Sequence, residues 1–169
     1  ALACILNDGM AAISRAHPDR FPAYIASLPM NNPAAALVEI DHAVRDGGAS
    51  GIQIYSNVKG KPLDLPEFEL IFARMAVLEK PIWLHPIRPP AHADYVTEDH
   101  SKFDIWWGFG WAYETSAAMA RLAFSGIFER HPDLRILCHH WGGYAPHADG
   151  RMDPHWQNGI TITPDAEPT

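Results

Sequence analysis

The chain has 169 residues, 47% of them hydrophobic and 20% charged, with a net charge of -7 and a pI of about 5.7. This is the profile of one globular domain over residues 1–169, and it offers no basic field to hold a nucleic-acid backbone or an anionic membrane surface. No apolar run approaches the roughly 18 residues that span a bilayer, and Cys4 and Cys138, far apart and outside any CxxC pair, give no disulfide framework, so a reducing, cytoplasmic location is expected.

ALACILNDGMAAISRA, at 1–16, places apolar residues on one face at helical spacing, and FPAYIASL after it is short and apolar like a buried strand. In NPAAALVEIDHAVRDGG, Asn32 is a cap, Pro33 takes the first helical position and Gly47-Gly48 is a stop; GIQIY then reads as a second strand. DLPEFELIFARMAVLEK predicts a third helix starting near Asp64 or Leu65, followed beyond Pro81 by the strand IWL, which ends at His85. A helix from about Trp111 to Arg130 and the strand LRILC from Leu134 complete a fourth unit. Such alternation predicts an α/β fold with a parallel sheet and helices outside. AHPDRF at 16–21 and RHPDLR at 130–135 each join a helix to the next strand. These corners fall at the amino ends of strands, the stability face of a barrel, so His17 and His131 are read as structural.

The segment 86–110 has no steady period and mixes Pro, Gly, His and aromatic residues; a loop of this length in a compact domain is usually functional. It follows His85 directly. His85 and His140 both stand where a buried strand opens into a loop, and in a barrel such positions converge on one mouth. A neutral imidazole there can bind a metal or move a proton. Gly142 and Gly143 would let the chain turn sharply and let a ligand come close. Because neighbouring strand residues face opposite ways, one of His139 and His140 is expected at the site, and His139 is assigned to a supporting or core position. Trp106, Trp107, Phe109 and Trp111 form either a wall over the site or packing beneath the loop or at a dimer contact. Glu114 is explained by the dipole of the helix it begins, and Arg88, His92, His100, His147 and His155 are expected at the solvated surface.

HPDRFPAYIASLPMNNPAAALVEIDHAV, GIQIYSNVKGKPLDLPEFELIFARM, PIWLHP, WAYETSAAMARLAFSGIFERHPDLRI and HHWGG with the following GR together resemble the amidohydrolase-related family typified by aminocarboxymuconate semialdehyde decarboxylase, over nearly the whole chain and in order. Within that family the chain is most similar to members carrying HHxGG. The resemblance implies a distorted (β/α)8 TIM barrel with one divalent metal, zinc, at the carboxyl face of its strands. It makes His85, in LHP, a metal ligand, His140 the catalytic acid/base, and Arg151 the residue that reaches a neighbouring subunit's site to hold a substrate carboxylate, which a guanidinium pairs bidentately. A homodimer acting on a small carboxylate substrate is therefore expected.

Departures from the pattern qualify this expectation. The family's first two ligands come from an HxH motif, and no such triplet occurs here; its last, an aspartate, belongs beyond Thr169. A full barrel takes about 250 residues, so the chain is expected to hold about four βα units of one, lacking amino- and carboxyl-terminal strands. The leading functional expectation is a metal-dependent, non-oxidative decarboxylase of an unsaturated or aromatic carboxylic acid. The alternatives are a metal-dependent hydrolase of a lactone or amide, and a non-catalytic chain without a complete metal site.

Overall fold

The structure is a computed structural model and describes residues 2–157. Four parallel strands form its sheet: β1 (Ala26–Ser27), β2 (Ile52–Tyr55), and, past the antiparallel hairpin β3 (Asn57–Val58) and β4 (Lys61–Pro62), β5 (Ile82–His85) and β6 (Ile136–Cys138). Their spatial order, β1-β2-β5-β6, is their sequence order. A doubly wound sheet reverses direction at a switch point, whereas a sheet whose successive strands are all parallel neighbours is built like a barrel wall.

The helices are α1 (Leu2–Ala16), α2 (Pro33–Ile40), α3 (Glu69–Val77), α4 (Ile105–Gly108), α5 (Gly110–Phe124), α6 (Ile127–Arg130) and α7 (Ala145–Gln157). Asn32 caps α2 as expected, its side chain accepting from the Ala35 N–H at 3.2 Å with Pro33 in the first turn. At its other end α2 continues into a π-helical turn, Asp41–Asp46, near whose end two carbonyls accept from a side chain. The Tyr24 hydroxyl reaches those of Ala43 and Gly47 at 3.0 and 3.2 Å. Gly48, at φ +80°, then ends the segment. The third helix starts later than expected: Pro66–Phe68 is a 3-10 turn, and Asp64 does not cap it but pairs with Arg121 on α5 at 2.7 Å. The single helix expected from about Trp111 to Arg130 is two, because Gly126 sits between them at φ +73°, in the left-handed region where helices end.

Alternation along the strands divides the sheet into two faces. Ile52, Ile54, Ile82 and Leu84, each at most 2% exposed, join Ile40, Ile71, Phe72, Met75, Leu122 and Ile127 in one core between sheet and helices. Burying each such side chain contributes about 1.5–3 kcal/mol. Gln53, Trp83 and His85 lie on the opposite face and are only half-buried. On that face Trp83 covers Gly51 so closely that a Cβ there would stand 2.5 Å from the indole and 2.3 Å from the Pro81 carbonyl, which explains a glycine before β2.

Three bidentate Arg–carboxylate pairs tie segments distant in sequence together: Arg74 with Asp41, Arg121 with Asp64 and Arg130 with Glu69. His131 also meets Glu69, at 2.8 Å, so the RHPDLR corner is the structural element expected of it. The Arg130 guanidinium, aided by His131, lowers the Glu69 carboxyl to about 2 from an ordinary 4.5. A depressed carboxyl stabilises the fold above its unfolded pKa and loses that contribution as pH falls through its folded one. Glu69→Gln is therefore expected to destabilise the chain by about 1 kcal/mol at pH 7, after discounting for solvent screening of a partly exposed pair. The gap to the unaltered chain should close between pH 4.5 and about 2. Urea unfolding of both chains across that range checks it; a gap that is constant with pH would show that the ionised carboxylate contributes nothing.

Candidate functional site

β5 ends at His85, and the pairing of Leu84 with Cys138 places the next residue, His139, opposite it. The His139 N–H donates to the Leu84 carbonyl at 3.0 Å, carrying the pairing one step beyond the strand. His139 thus shares the half-buried face with His85 by plain strand alternation, with ring centroids 5.0 Å apart. His140 arrives differently. Its backbone is left-handed at φ +54°, as is that of Trp141 at φ +60°, so the chain turns instead of sending this side chain to the far side of the sheet. The His140 ring lies 5.3 Å from His85 and 6.2 Å from His139. The expectation that one of the two adjacent histidines would be turned away is corrected: both meet His85, because alternation governs a strand only until its backbone leaves the extended region.

The two glycines, both at positive φ, allow this turn. Gly143, at φ +63°, packs on the start of α5 so closely that a Cβ would be 2.4 Å from the Ala112 carbonyl oxygen. Beside it the Ser116 hydroxyl donates to that carbonyl at 2.7 Å and accepts from the Tyr144 N–H at 2.7 Å. The turn is therefore docked on α5, and α5 brings Trp111 with it. The Trp111 ring centroid is 5.3 Å from both His85 and His140, with Trp106 and Trp107 packed on its other edges at 6.1 and 6.3 Å. Of the two placements open for these aromatics, Trp111 takes the wall beside the histidines, while Trp107 and Phe109 remain largely exposed.

His85 Nδ1 is 2.7 Å from the Pro86 carbonyl, which can only accept, so Nδ1 carries the hydrogen and the neutral tautomer this contact selects has its lone pair on Nε2. A backbone carbonyl on the second nitrogen is how ligating histidines are commonly oriented. His139 is lowered below the ordinary imidazole value by burial, with His85 and His140 adding to the effect. Imidazole nitrogens gathered on one face suit a divalent cation, and the residues present fit one as a partial donor set: imidazoles without the HxH and aspartate donors that the resemblance calls for.

The ground beneath His85 is fixed by residues the sequence reading missed. The Ser56 N–H donates to the His85 carbonyl at 2.9 Å, and its hydroxyl accepts from the Ile87 N–H at 3.0 Å and donates to Glu114 at 3.1 Å. Asn57 donates to the same Glu114 oxygen at 2.9 Å and to the Ile87 carbonyl at 3.0 Å. Glu114 thus locks the ends of β2 and β5 to α5, and the dipole account of it is replaced by these contacts. Arg88 is half-buried, not solvated. With Asp94, Tyr95, Phe109, Tyr113 and Tyr144 it lines a groove of about 480 Å3 beside α5. Arg151 is exposed on α7, and His92, His100 and His147 are exposed as expected. The side chain of His155 lies outside the described residues. No helix among them is long and apolar enough to cross a membrane.

A family model described as Amidohydrolase matches residues 4–164. The 2-amino-3-carboxymuconate-6-semialdehyde decarboxylase of Dictyostelium discoideum is 33% identical over 165 residues, which are 97% of this chain and 43% of that protein. Gamma-resorcylate decarboxylase of a Rhizobium species is 33% identical over 157 residues, 87% of this chain and 46% of that protein. Among solved structures, 5-carboxyvanillate decarboxylase of Novosphingobium aromaticivorans, complexed with manganese and 4-hydroxy-3-methoxy-5-nitrobenzoic acid, superposes with a TM-score of 0.81 at 31% identity, covering 94% of this chain and 44% of that one. The chain spans less than half the length of these relatives. The likeness makes the four-stranded parallel wall part of a (β/α)8 barrel, as the sequence led us to expect.

Proposed function

The chain belongs to the amidohydrolase family, and we propose that the protein carrying it is a divalent-metal-dependent, non-oxidative decarboxylase of an aromatic or unsaturated carboxylic acid. The observation that carries the reading is the convergence of His85, His139 and His140 at the carboxyl ends of β5 and β6, with His85 Nδ1 engaged by the Pro86 carbonyl. His85 is a metal ligand here, and His139 is placed to join it. Bound at this set, a divalent metal supplies positive charge that polarises a substrate oxygen. Zinc suits the nitrogen donors; manganese, present in the carboxyvanillate decarboxylase, is the competing identity.

His140 moves the proton. As the bond between the substrate carbon and its carboxylate breaks, CO2 leaves and the electron pair stays on carbon, which takes a proton from the His140 imidazolium; solvent then restores it. Trp111 at 5.3 Å fixes the face that the His140 ring presents. Arg151, supplied by a second copy in a homodimer, holds the substrate carboxylate through its planar fork. Residues 1–169 are read as part of one barrel domain, in a cytoplasmic protein.

The test is product analysis on the whole protein, in deuterated water, with gamma-resorcylate, 5-carboxyvanillate and related acids. Release of CO2 with one solvent deuterium at the vacated carbon is expected for at least one acid, dependent on added zinc or manganese. Inertness toward every acid, with metal-dependent opening of lactones or amides, would overturn the reading in favour of hydrolysis.

A further inference from the structure

A second group of ligating side chains lies away from the histidine cluster, where α1 packs on the π-helical turn that follows α2. Among the described residues, Cys4, Glu39 and His42 each offer a ligand atom, and these atoms all lie within 4.8 Å of one another. Asp8, one turn along α1 from Cys4, meets both: its carboxylate is 2.8 Å from His42 Nε2 and accepts from the Cys4 thiol at 3.7 Å. We propose that Cys4, His42 and the carboxylates of Glu39 and Asp8 form a second metal site, selective for a zinc-like transition cation and independent of the chemistry at the barrel mouth.

Spacing comes first. Zinc bonds of about 2.3 Å to sulfur and about 2.0–2.1 Å to nitrogen, at a tetrahedral angle, set the two donors about 3.5 Å apart. Cys4 Sγ and His42 Nε2 are 3.5 Å apart. The Asp8 contact to His42, at 2.8 Å, is a hydrogen bond, shorter than two donors on one ion allow; Asp8 is exposed and can open by a rotamer change while a cation takes the place of the proton.

The surroundings are arranged around the donors. Glu39 is 8% exposed, and Asn7, itself buried, donates to its Oε1 at 2.6 Å. Asn7 is in turn fixed by two hydrogen bonds to the backbone of Ser27 in β1, so a carboxylate is held in place from the sheet. His42 sits in the second position of the π-helical turn, a distortion that occurs frequently at functional sites because its extra residue re-aims a side chain. Burial and the neighbouring carboxylates of Asp8 and Glu39 raise the Cys4 thiol, and Asp8 raises His42. The two carboxylates carry charge for a dication to neutralise, and a Cys4 thiolate, formed as its proton is released on binding, favours zinc or cobalt over magnesium.

Cobalt(II) is the probe, titrated into the metal-free 169-residue chain. A thiolate ligand gives a sulfur-to-cobalt charge-transfer band in the near ultraviolet, which imidazoles alone do not. The band is expected to rise to one equivalent, to persist in His85→Ala and to vanish in Cys4→Ser, with affinity at least tenfold weaker in His42→Ala. Cys4 is half-buried in the first turn of α1 and is not among the core residues, so Cys4→Ser leaves the core untouched, and circular dichroism checks that it folds. The other thiol, Cys138, is held by burial at about 11. No band in the unaltered chain, or a band that survives Cys4→Ser, would overturn the proposal.

Discussion

His140→Ala in the whole protein is expected to cut decarboxylation by a factor on the order of 10² to 10⁴, the range for loss of a positioned acid/base, while bound metal stays near its original level. The separation rests on where the ring comes from. His85 and His139 reach the site from paired strand backbone, where a ligand is held rigidly. His140 reaches it from a left-handed turn, is exposed, and touches Trp111 at a tilt of 50°, the setting of a group that trades protons with solvent between turnovers. Truncation removes no buried packing, so stability should change little. Turnover and elemental analysis on the same preparation read both quantities. Unchanged turnover would transfer the acid/base role to His139, and lost metal would make His140 a ligand.

The parts of this site legible in the sequence are those set by local pattern. GIQIY and IWLH are short apolar runs bounded by Gly and Pro, so the strands and the position of His85 at the end of one follow from composition and punctuation. Asn32 and Pro33 announce α2 for the same reason. Alternation did not foresee that His140 joins His139 beside His85, because it assumed that the strand continued, whereas the strand stops at Cys138 and His140 takes a left-handed backbone. Glu114 was illegible for another reason: its partners Ser56 and Asn57 lie 58 and 57 residues away, and no local period encodes a contact made by the sheet. The hairpin β3–β4 has two residues per strand, too few for alternation to register, and is fixed by Lys59 and Gly60, both at positive φ as a tight hairpin turn requires. The cluster of Cys4, Glu39 and His42 likewise spans 38 residues and exists only because α1 packs across the turn after α2.

His85→Ala should remove the metal itself, and with it nearly all turnover. Losing even a residue that merely orients a ligand typically weakens metal binding 10–100-fold, and loss of a direct ligand costs more. The argument depends on the fold surviving. The His85 backbone carbonyl keeps its hydrogen bond from Ser56, and the Ser56–Glu114 contact does not involve the imidazole, so the ends of β2 and β5 remain locked. The side chain is half-buried on the inner face, outside the core of Ile82 and Leu84. Far-ultraviolet circular dichroism should therefore match the unaltered protein while metal content at the barrel mouth, measured in a Cys4→Ser background to silence the proposed second site, falls toward zero. Excess zinc or manganese should restore part of the activity, because the remaining donors still converge. Full metal content in this variant would leave His85 with a structural task, its Nδ1 bond to Pro86 holding the loop, and would move the search for the ligand to His139, 5.0 Å away.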